Sequence, residues 1–104
     1  MTPVSLKIDL EHMAEHAEEA TLLLKALANK NRLMILCLLS EGELSVGELQ
    51  SRLLLGQSAL SQHLAVLRQD KLVRTRRASQ TIYYSLADKR SASIIELLHD
   101  MYCV

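Results

Sequence analysis

The sequence predicts a mainly α-helical fold with a β-hairpin wing, a winged helix-turn-helix ordered as four helices, two strands and a fifth helix. Three observations predict it. Between Leu55 and Val73, residues Leu60, Leu64 and Leu67 fall on one stripe of a helix while Ser58, Gln62 and Gln69 point away from it. Just upstream, Glu43 to Leu53 reads as a short helix opened by Ser45, with Glu48 three residues on to close a capping box, and Gly56 breaks the chain before Gln57. Just downstream, Leu72 to Arg77 and Thr81 to Leu86 are β-prone runs of Val, Ile, Thr and Tyr, joined across Ala78, Ser79 and Gln80 into a hairpin that carries Arg74, Arg76 and Arg77.

The remaining elements follow in chain order. Met1 to Leu6 has no pattern and is expected to fray. Asp9 to Ala28 is helix-prone, with Met13, Ala17, Ala20, Leu24 and Leu27 on an apolar stripe and acids between them. Asn29, Lys30 and Asn31 interrupt that pattern, and Asn31 is expected to cap the next helix. Leu33 to Leu39 is apolar throughout, too much for one stripe, which predicts a helix buried on several sides at the centre of the core. Cys37 lies in this helix, and Gly42 fits the left-handed position that ends it. After the hairpin, Asp88 can cap a last helix to about Tyr102, in which Ile94, Ile95, Leu97, Leu98 and Met101 exceed what one contact face requires. Together with the first helix they predict a homodimer interface, with Leu98 as the position where an Asp would break it.

A chain of 104 residues is expected to form one domain, 1 to 104, with a modest core. Phe and Trp are absent, so that core must come from aliphatic side chains, which favours helices packed on helices. The formal net charge is zero, but it is unevenly spread. Residues 1 to 50 hold four Lys or Arg against eight Asp or Glu, whereas Arg52 to Arg77 holds six basic residues and a single acid, Asp70. Positive charge therefore collects on the helix-turn-helix and hairpin, as a footprint on nucleic acid should. No apolar run approaches a membrane span and no signal-peptide layout opens the chain, which predicts a cytoplasmic protein without membrane association. In that compartment two cysteines are not a structural staple by default; they are buried packing residues or a switch.

These patterns predict a non-enzymatic protein that binds double-stranded DNA sequence-specifically, without a cofactor. Gln57, Ser58, Ser61 and Gln62 are expected to face bases or phosphates, and Arg68, Arg74, Arg76 and Arg77 the DNA backbone. His63, at the edge of the stripe, either joins them or packs as a hydrogen-bonded histidine. The competing class is a winged helix used only for protein contacts, which would gain nothing obvious from the concentrated charge. A remote alternative is a small zinc hydrolase, because His12-Met13-Ala14-Glu15-His16 matches the H-x-x-E-H pattern of one zinc peptidase class. Two histidines at i and i+4 can share a metal, but the chain has no room for a substrate domain, and Met13 and Ala17 claim the same region for packing.

The runs Lys25-Ala26-Leu27-Ala28-Asn29, Arg32-Leu33, Glu48-Leu49, Ser58-Ala59-Leu60-Ser61-Gln62-His63-Leu64, Leu67-Arg68 and Tyr84-Ser85-Leu86, in this order of elements, resemble the ArsR family of dimeric winged-helix repressors over nearly the whole chain. Within it the cysteine positions and the ending Met101-Tyr102-Cys103 are most similar to the dithiol-sensing group of HlyU, SqrR and BigR. The resemblance implies a repressor or anti-repressor reading an imperfect inverted-repeat operator. It also implies that Cys37 and Cys103 lie close together and are bridged by oxidants or persulfides, loosening the grip on DNA. Residue spacing alone does not make them partners; without the resemblance, Cys37 reads as a small buried hydrophobe and Cys103 as a loose terminal thiol. Departures from the family are informative. Its metal-sensing branch has Cys-x-Cys where this chain has Ser45-Val46-Gly47, and of the other metal site only Asp88 keeps a ligand-type side chain. No metal site is therefore expected, although regulation by another signal such as a metal stays an alternative. Gly56 stands where the family commonly has a capping Ser, and the wing turn lacks the frequent Gly.

Overall fold

The computed structural model describes residues 8–103, so the expected frayed stretch Met1 to Leu6 lies outside the described residues. Eight elements follow in order: α1 (Leu10–Leu27), α2 (Lys30–Leu39), β1 (Leu44–Ser45), α3 (Val46–Leu53), α4 (Gln57–Gln69), β2 (Val73–Ala78), β3 (Thr81–Leu86) and α5 (Lys89–Tyr102). The expected order holds, with one addition. Leu44 and Ser45 form a two-residue strand on the free edge of β3, so the hairpin becomes an antiparallel sheet ordered β1-β3-β2. Two residues before a helix cap leave no alternation to read, which is why the sequence pattern passed over β1.

α2 is the hub, packing on α1, α3, α4, α5 and β3. Ile35 and Leu36 are completely buried, and Leu39 nearly so, against Leu49 of α3, Leu60, Leu64 and Leu67 of α4, and Ile95 of α5. Its burial is less even than its composition predicts. Met34 is exposed, while Leu33, Cys37 and Leu38 are half-buried, so one side of α2 lies open toward α5. α1 meets the core only through its last turns, at Leu23, Ala26 and Leu27. Met13 and Leu24 of the expected stripe are exposed.

Helix ends account for most of the chain's turns. Asp9 and Asp88 cap α1 and α5 through their carboxylates. Asn29, rather than Asn31, caps α2: its extended backbone lets Oδ1 accept from the amides of Asn31 and Arg32 at 3.0 and 3.1 Å. Arg32 then reaches back and donates to the carbonyls of Ala26 and Lys25, satisfying the open end of α1. Gly42 does not end α2 in the left-handed helical conformation. Ser40 ends it in a right-handed one, and Gly42 follows at φ 149°, turning the chain into β1. The left-handed residues are Leu54, Lys71 and Ser79. Lys71 completes a Schellman motif behind α4: Leu72 N–H donates to Leu67 O at 2.9 Å and Lys71 N–H to Arg68 O at 3.0 Å, with Leu67 and Leu72 both buried.

α4 is the one helix here opened by a glycine, and its cap makes no side-chain hydrogen bond. Gly56 has φ −64° and ψ 153°, which any residue adopts, and a Cβ there would meet nothing within 4 Å. Gly56→Ser is therefore expected to stabilise the protein by a few tenths of a kcal/mol, roughly 1–3 °C in Tm, whereas Gly56→Ala, lacking the oxygen, should not. Thermal melts of the three proteins check this; a Ser variant no more stable than the Ala variant would overturn it.

Candidate nucleic-acid interface and cysteine pair

The helix-turn-helix is set by two local devices. Ser45 Oγ accepts the Glu48 amide at 3.1 Å and Glu48 Oε1 accepts the Ser45 amide at 3.0 Å, a complete capping box that fixes the start of α3. The Ser45 amide donating to it, and after that the Ser45 hydroxyl beside it, hold the Glu48 carboxyl below its ordinary value. α3 then ends at Leu54, whose left-handed backbone (φ 54°) turns the chain toward α4. The leucine stripe of α4 is fully committed to the core: Leu60, Leu64 and Leu67 are each no more than 2% exposed. With that face used, Gln57, Ser58, Ser61, Gln62, Arg68 and Gln69 are all exposed. His63 is half-buried at the margin between the two faces.

The wing pairs Val73 with Leu86 through Ala78 with Thr81, leaving Ser79 and Gln80 as a two-residue turn. Ser79 supplies the positive φ (58°) that the turn needs without a glycine. Strand alternation separates the three arginines. Arg77 pairs with Ile82 and shares a face with Thr75 and Tyr84, and Ile82 and Tyr84 line a shallow groove with Ser61 and Arg68 of α4. Arg77 thus lies on the α4 side of the hairpin. Arg74 and Arg76 lie on the other. Arg74 is close enough to Asp88 to help keep that carboxyl low, after the larger effect of Arg90, which donates to it from both backbone and side chain. Arg76 is more fully engaged. Its Nε donates to Glu43 Oε2 at 3.1 Å, its Nη2 to Glu43 Oε1 at 2.7 Å, and its guanidinium carbon sits 4.7 Å from the Tyr83 ring centroid. Among the described residues Arg68, Arg74 and Arg77 form no ion pair.

Cys37 and Cys103 are brought together. Cys37 faces the open side of α2, Cys103 caps the end of α5, and both line one groove of about 610 Å³ between the helices, with Leu33, Ile95 and His99. Both are free thiols, Cys37 half-buried and Cys103 exposed. Burial pushes the Cys37 thiol above its ordinary value, and the neighbouring Cys103 and Glu41 add to the rise. Leu98 also lines this groove and is half-buried, while Leu97 and Met101 of α5 are exposed.

The histidine pattern of α1 is dispersed. His12 Nδ1 lies 2.8 Å from Asp9 Oδ2, and His16 Nδ1 lies 3.4 Å from Glu19 Oε1, all on the helix surface. Among the described residues no three His, Cys, Asp or Glu side chains are grouped so as to hold a metal ion, and Asp88 is occupied as a helix cap. No helix among the described residues is long and apolar enough to cross a membrane. What sequence reasoning missed is the Glu43–Arg76 pair. The signal was the two-residue period, which puts Arg76 and Arg77 on opposite faces.

Residues 29–75, from the cap of α2 into β2, match the family described as bacterial regulatory protein, arsR family. The transcriptional activator HlyU of Vibrio cholerae is 55% identical over 92% of this chain and 89% of its own length. Its structure in the reduced form superposes with a TM-score of 0.83, covering 90% of this chain and 99% of that one. The transcriptional repressor BigR of Xylella fastidiosa superposes at 0.86 with 41% identity, over 93% of this chain and 99% of BigR. A homodimeric winged helix-turn-helix DNA-binding domain from Mycobacterium bovis superposes at 0.76 with 28% identity, over 94% and 89%. HlyU and BigR are transcriptional regulators, and the fold and sequence agree with them over nearly the whole chain. The chain belongs to the arsR family of bacterial regulatory proteins and is a winged helix-turn-helix DNA-binding transcriptional regulator of the HlyU and BigR type.

Proposed function

We propose that this regulator reads its operator as a homodimer, through α4 and the α4 side of the wing, and that joining Cys37 to Cys103 releases it. The observation that carries the DNA interface is the committed leucine stripe of α4, which leaves Gln57, Ser58, Ser61 and Gln62 as one exposed row beside the unpaired Arg68 and Arg77. Such side chains hydrogen-bond base edges and phosphates when a helix lies in the major groove, and arginines at its flank neutralise the backbone. Arg74, at the base of the wing, can meet a phosphate on the other side. His63 serves as a margin residue that packs rather than reads. Affinity should fall steeply with salt, and removing one phosphate contact should lower the slope of log affinity against log salt by about 0.9. Titrations of Arg68→Gln and Arg77→Gln on an operator selected from genomic DNA check this. Unchanged slopes in both would overturn the assignment.

The dimer reading rests on apolar faces that the protomer leaves uncovered. Leu24 on α1 and Leu97 and Met101 on α5 are 59%, 58% and 54% exposed, together with Leu10 and Met13. The homodimeric Mycobacterium bovis relative supports covering them with a second copy. The operator is then an imperfect inverted repeat with half-sites about one helical turn, ~34–36 Å, apart. Leu97→Asp is expected to leave a folded monomer in sedimentation and to lose tight operator binding without altering a DNA-facing residue. A Leu97→Asp protein that stays dimeric, or a monomer that binds as tightly as wild type, would overturn it.

The switch reading rests on the shared groove. Cys103 is exposed and meets an oxidant first; Cys37 lies behind it and resolves the adduct. With a peroxide, the two thiols give up two protons and two electrons, the S–S bond forms and the O–O bond breaks to two waters. With a persulfide, the same two thiols release one thiol and one hydrogen sulfide. The bridge would close a loop of roughly 66 residues, about 4 kcal/mol in the chain-entropy model, and would fix α5 on α2. Because attack needs a thiolate and burial holds Cys37 protonated, bridging should quicken as pH rises. Mass spectrometry and operator titration on one sample, before and after treatment, are expected to show a bridge and at least about tenfold weaker binding in wild type, and neither in Cys37→Ser or Cys103→Ser. Full bridging with unchanged affinity would remove the switch.

A further inference from the structure

We propose that Arg76 is a positioning residue of the wing, held by Glu43 and Tyr83 so that the hairpin keeps one pose relative to the helix-turn-helix, and that it makes no phosphate contact. The inference rests on the DNA-binding reading for its consequence but on the free protein for its geometry. Glu43 immediately precedes β1, Tyr83 sits on β3 opposite Ser45, and Arg76 sits on β2 opposite Tyr83. One side-chain cluster therefore spans all three strands. It joins the two outer strands, β1 and β2, across the middle one.

That link matters because β1 is held to β3 over two residue pairs only, Leu44 with Tyr84 and Ser45 with Tyr83. The last of these residues, Ser45, is also the cap of α3. Any pivot of the hairpin about β1 would be transmitted to, or absorbed at, the start of the helix-turn-helix. A planar guanidinium bonded to both carboxylate oxygens and laid on an aromatic ring resists that pivot in two directions. A lysine, a point charge without the planar fork, could not bond both oxygens in that way. The pair is also neutral as a unit, so Arg76 brings no net charge to the DNA and releases no counterion on binding. Arg77, on the opposite face, has no such partner among the described residues.

Two measurements test the proposal on the full-length protein. The first is hydrogen–deuterium exchange without DNA, on wild type, Glu43→Gln and Arg76→Gln. Exchange is expected to quicken by about fivefold, the scale of a well-formed exposed pair, in the β1, β2 and β3 amides of both variants, with α1, α2 and α5 unchanged. No change in the wing would overturn the proposal whatever the DNA does, and equal quickening throughout the chain would reduce the cluster to general stability and overturn it too. The second is operator titration across salt concentrations for the same proteins, the double variant and Arg77→Gln. Glu43→Gln and Arg76→Gln are each expected to weaken binding by about fivefold with the salt slope unchanged, and the double variant to be no weaker than either. A slope lowered by about 0.9 in Arg76→Gln would make Arg76 a phosphate contact, and tighter binding by Glu43→Gln would make Glu43 a mask; either overturns positioning. Failure of the DNA interface itself would show differently, as an unchanged slope in Arg77→Gln, with the exchange result still deciding the role of Arg76.

Discussion

The constraint on which the rest of this structure depends is the burial of Leu60, Leu64 and Leu67 against α2. A helix of thirteen residues has one orientation that hides three leucines at this spacing, and hiding them is worth several kcal/mol in a domain of this size. Once that orientation is taken, the directions of Gln57, Ser58, Ser61 and Gln62 are no longer free. The polar row is exposed because the leucines are not. α2 can receive them because Ile35 and Leu36 are themselves completely buried, with α1, α3 and α5 packed around them. The exposed polar row is thus held in place from behind, by apolar contacts on the opposite face of α4.

Electrostatics works on a finer scale than net charge. The chain is formally neutral, so no general attraction to a polyanion follows from its total. What counts is which cations remain uncompensated. Arg32 is used on the carbonyls at the end of α1, Arg90 on Asp88, and Arg76 on Glu43, which leaves Arg52, Arg68, Arg74 and Arg77 without an ion pair among the described residues, Arg68 and Arg77 beside the groove between α4 and the wing. The acids are placed as deliberately as the bases. Asp9, Asp88 and Glu48 sit at helix starts, where the dipole and the free amides favour them, and Glu43 sits where it neutralises an arginine on the outer face of the wing.

Periodic signals were legible in the sequence and local exceptions were not. The stripe of α4, the capping box of α3, the two long strands and the cap of α5 are all repeated or paired patterns, and each lies where its pattern puts it. β1 was too short to have a period. Asn29 and Asn31 are chemically equivalent caps, and only the backbone of Asn29, extended at φ −146°, decides between them. Gly42 carried the right residue type for a left-handed helix end, yet among the described residues the left-handed places went to Leu54, Lys71 and Ser79, the first two at helix ends where neighbouring hydrogen bonds hold the conformation against its cost. In the candidate site, the exposed row of α4 could be read from spacing. Strand alternation could also have set Arg77 apart from Arg74 and Arg76, but the engagement of Arg76 could not be read, because it depends on Glu43, thirty-three residues away in the chain. The nearness of Cys37 and Cys103 came from family resemblance alone, and the groove they share gives it a physical basis.

The position of that groove also explains how a proposed thiol event at the far end of the chain could reach the DNA face. α5 rests on α2 through Ile95, whereas Cys37 and Leu33, which line the groove on α2, are only half-buried. The α2–α5 contact is therefore open along the groove that holds both thiols. α2 does not share that latitude, because Ile35, Leu36 and Leu39 lock it to α4. A bond between Cys37 and Cys103 would select one arrangement of α5 while leaving α2 and α4 as one body. If α5 carries the dimer contact at Leu97 and Met101, the selected arrangement resets the angle between protomers and hence the separation of the two α4 helices. The switch would then act on geometry between half-sites, with the reading surface of each protomer unchanged.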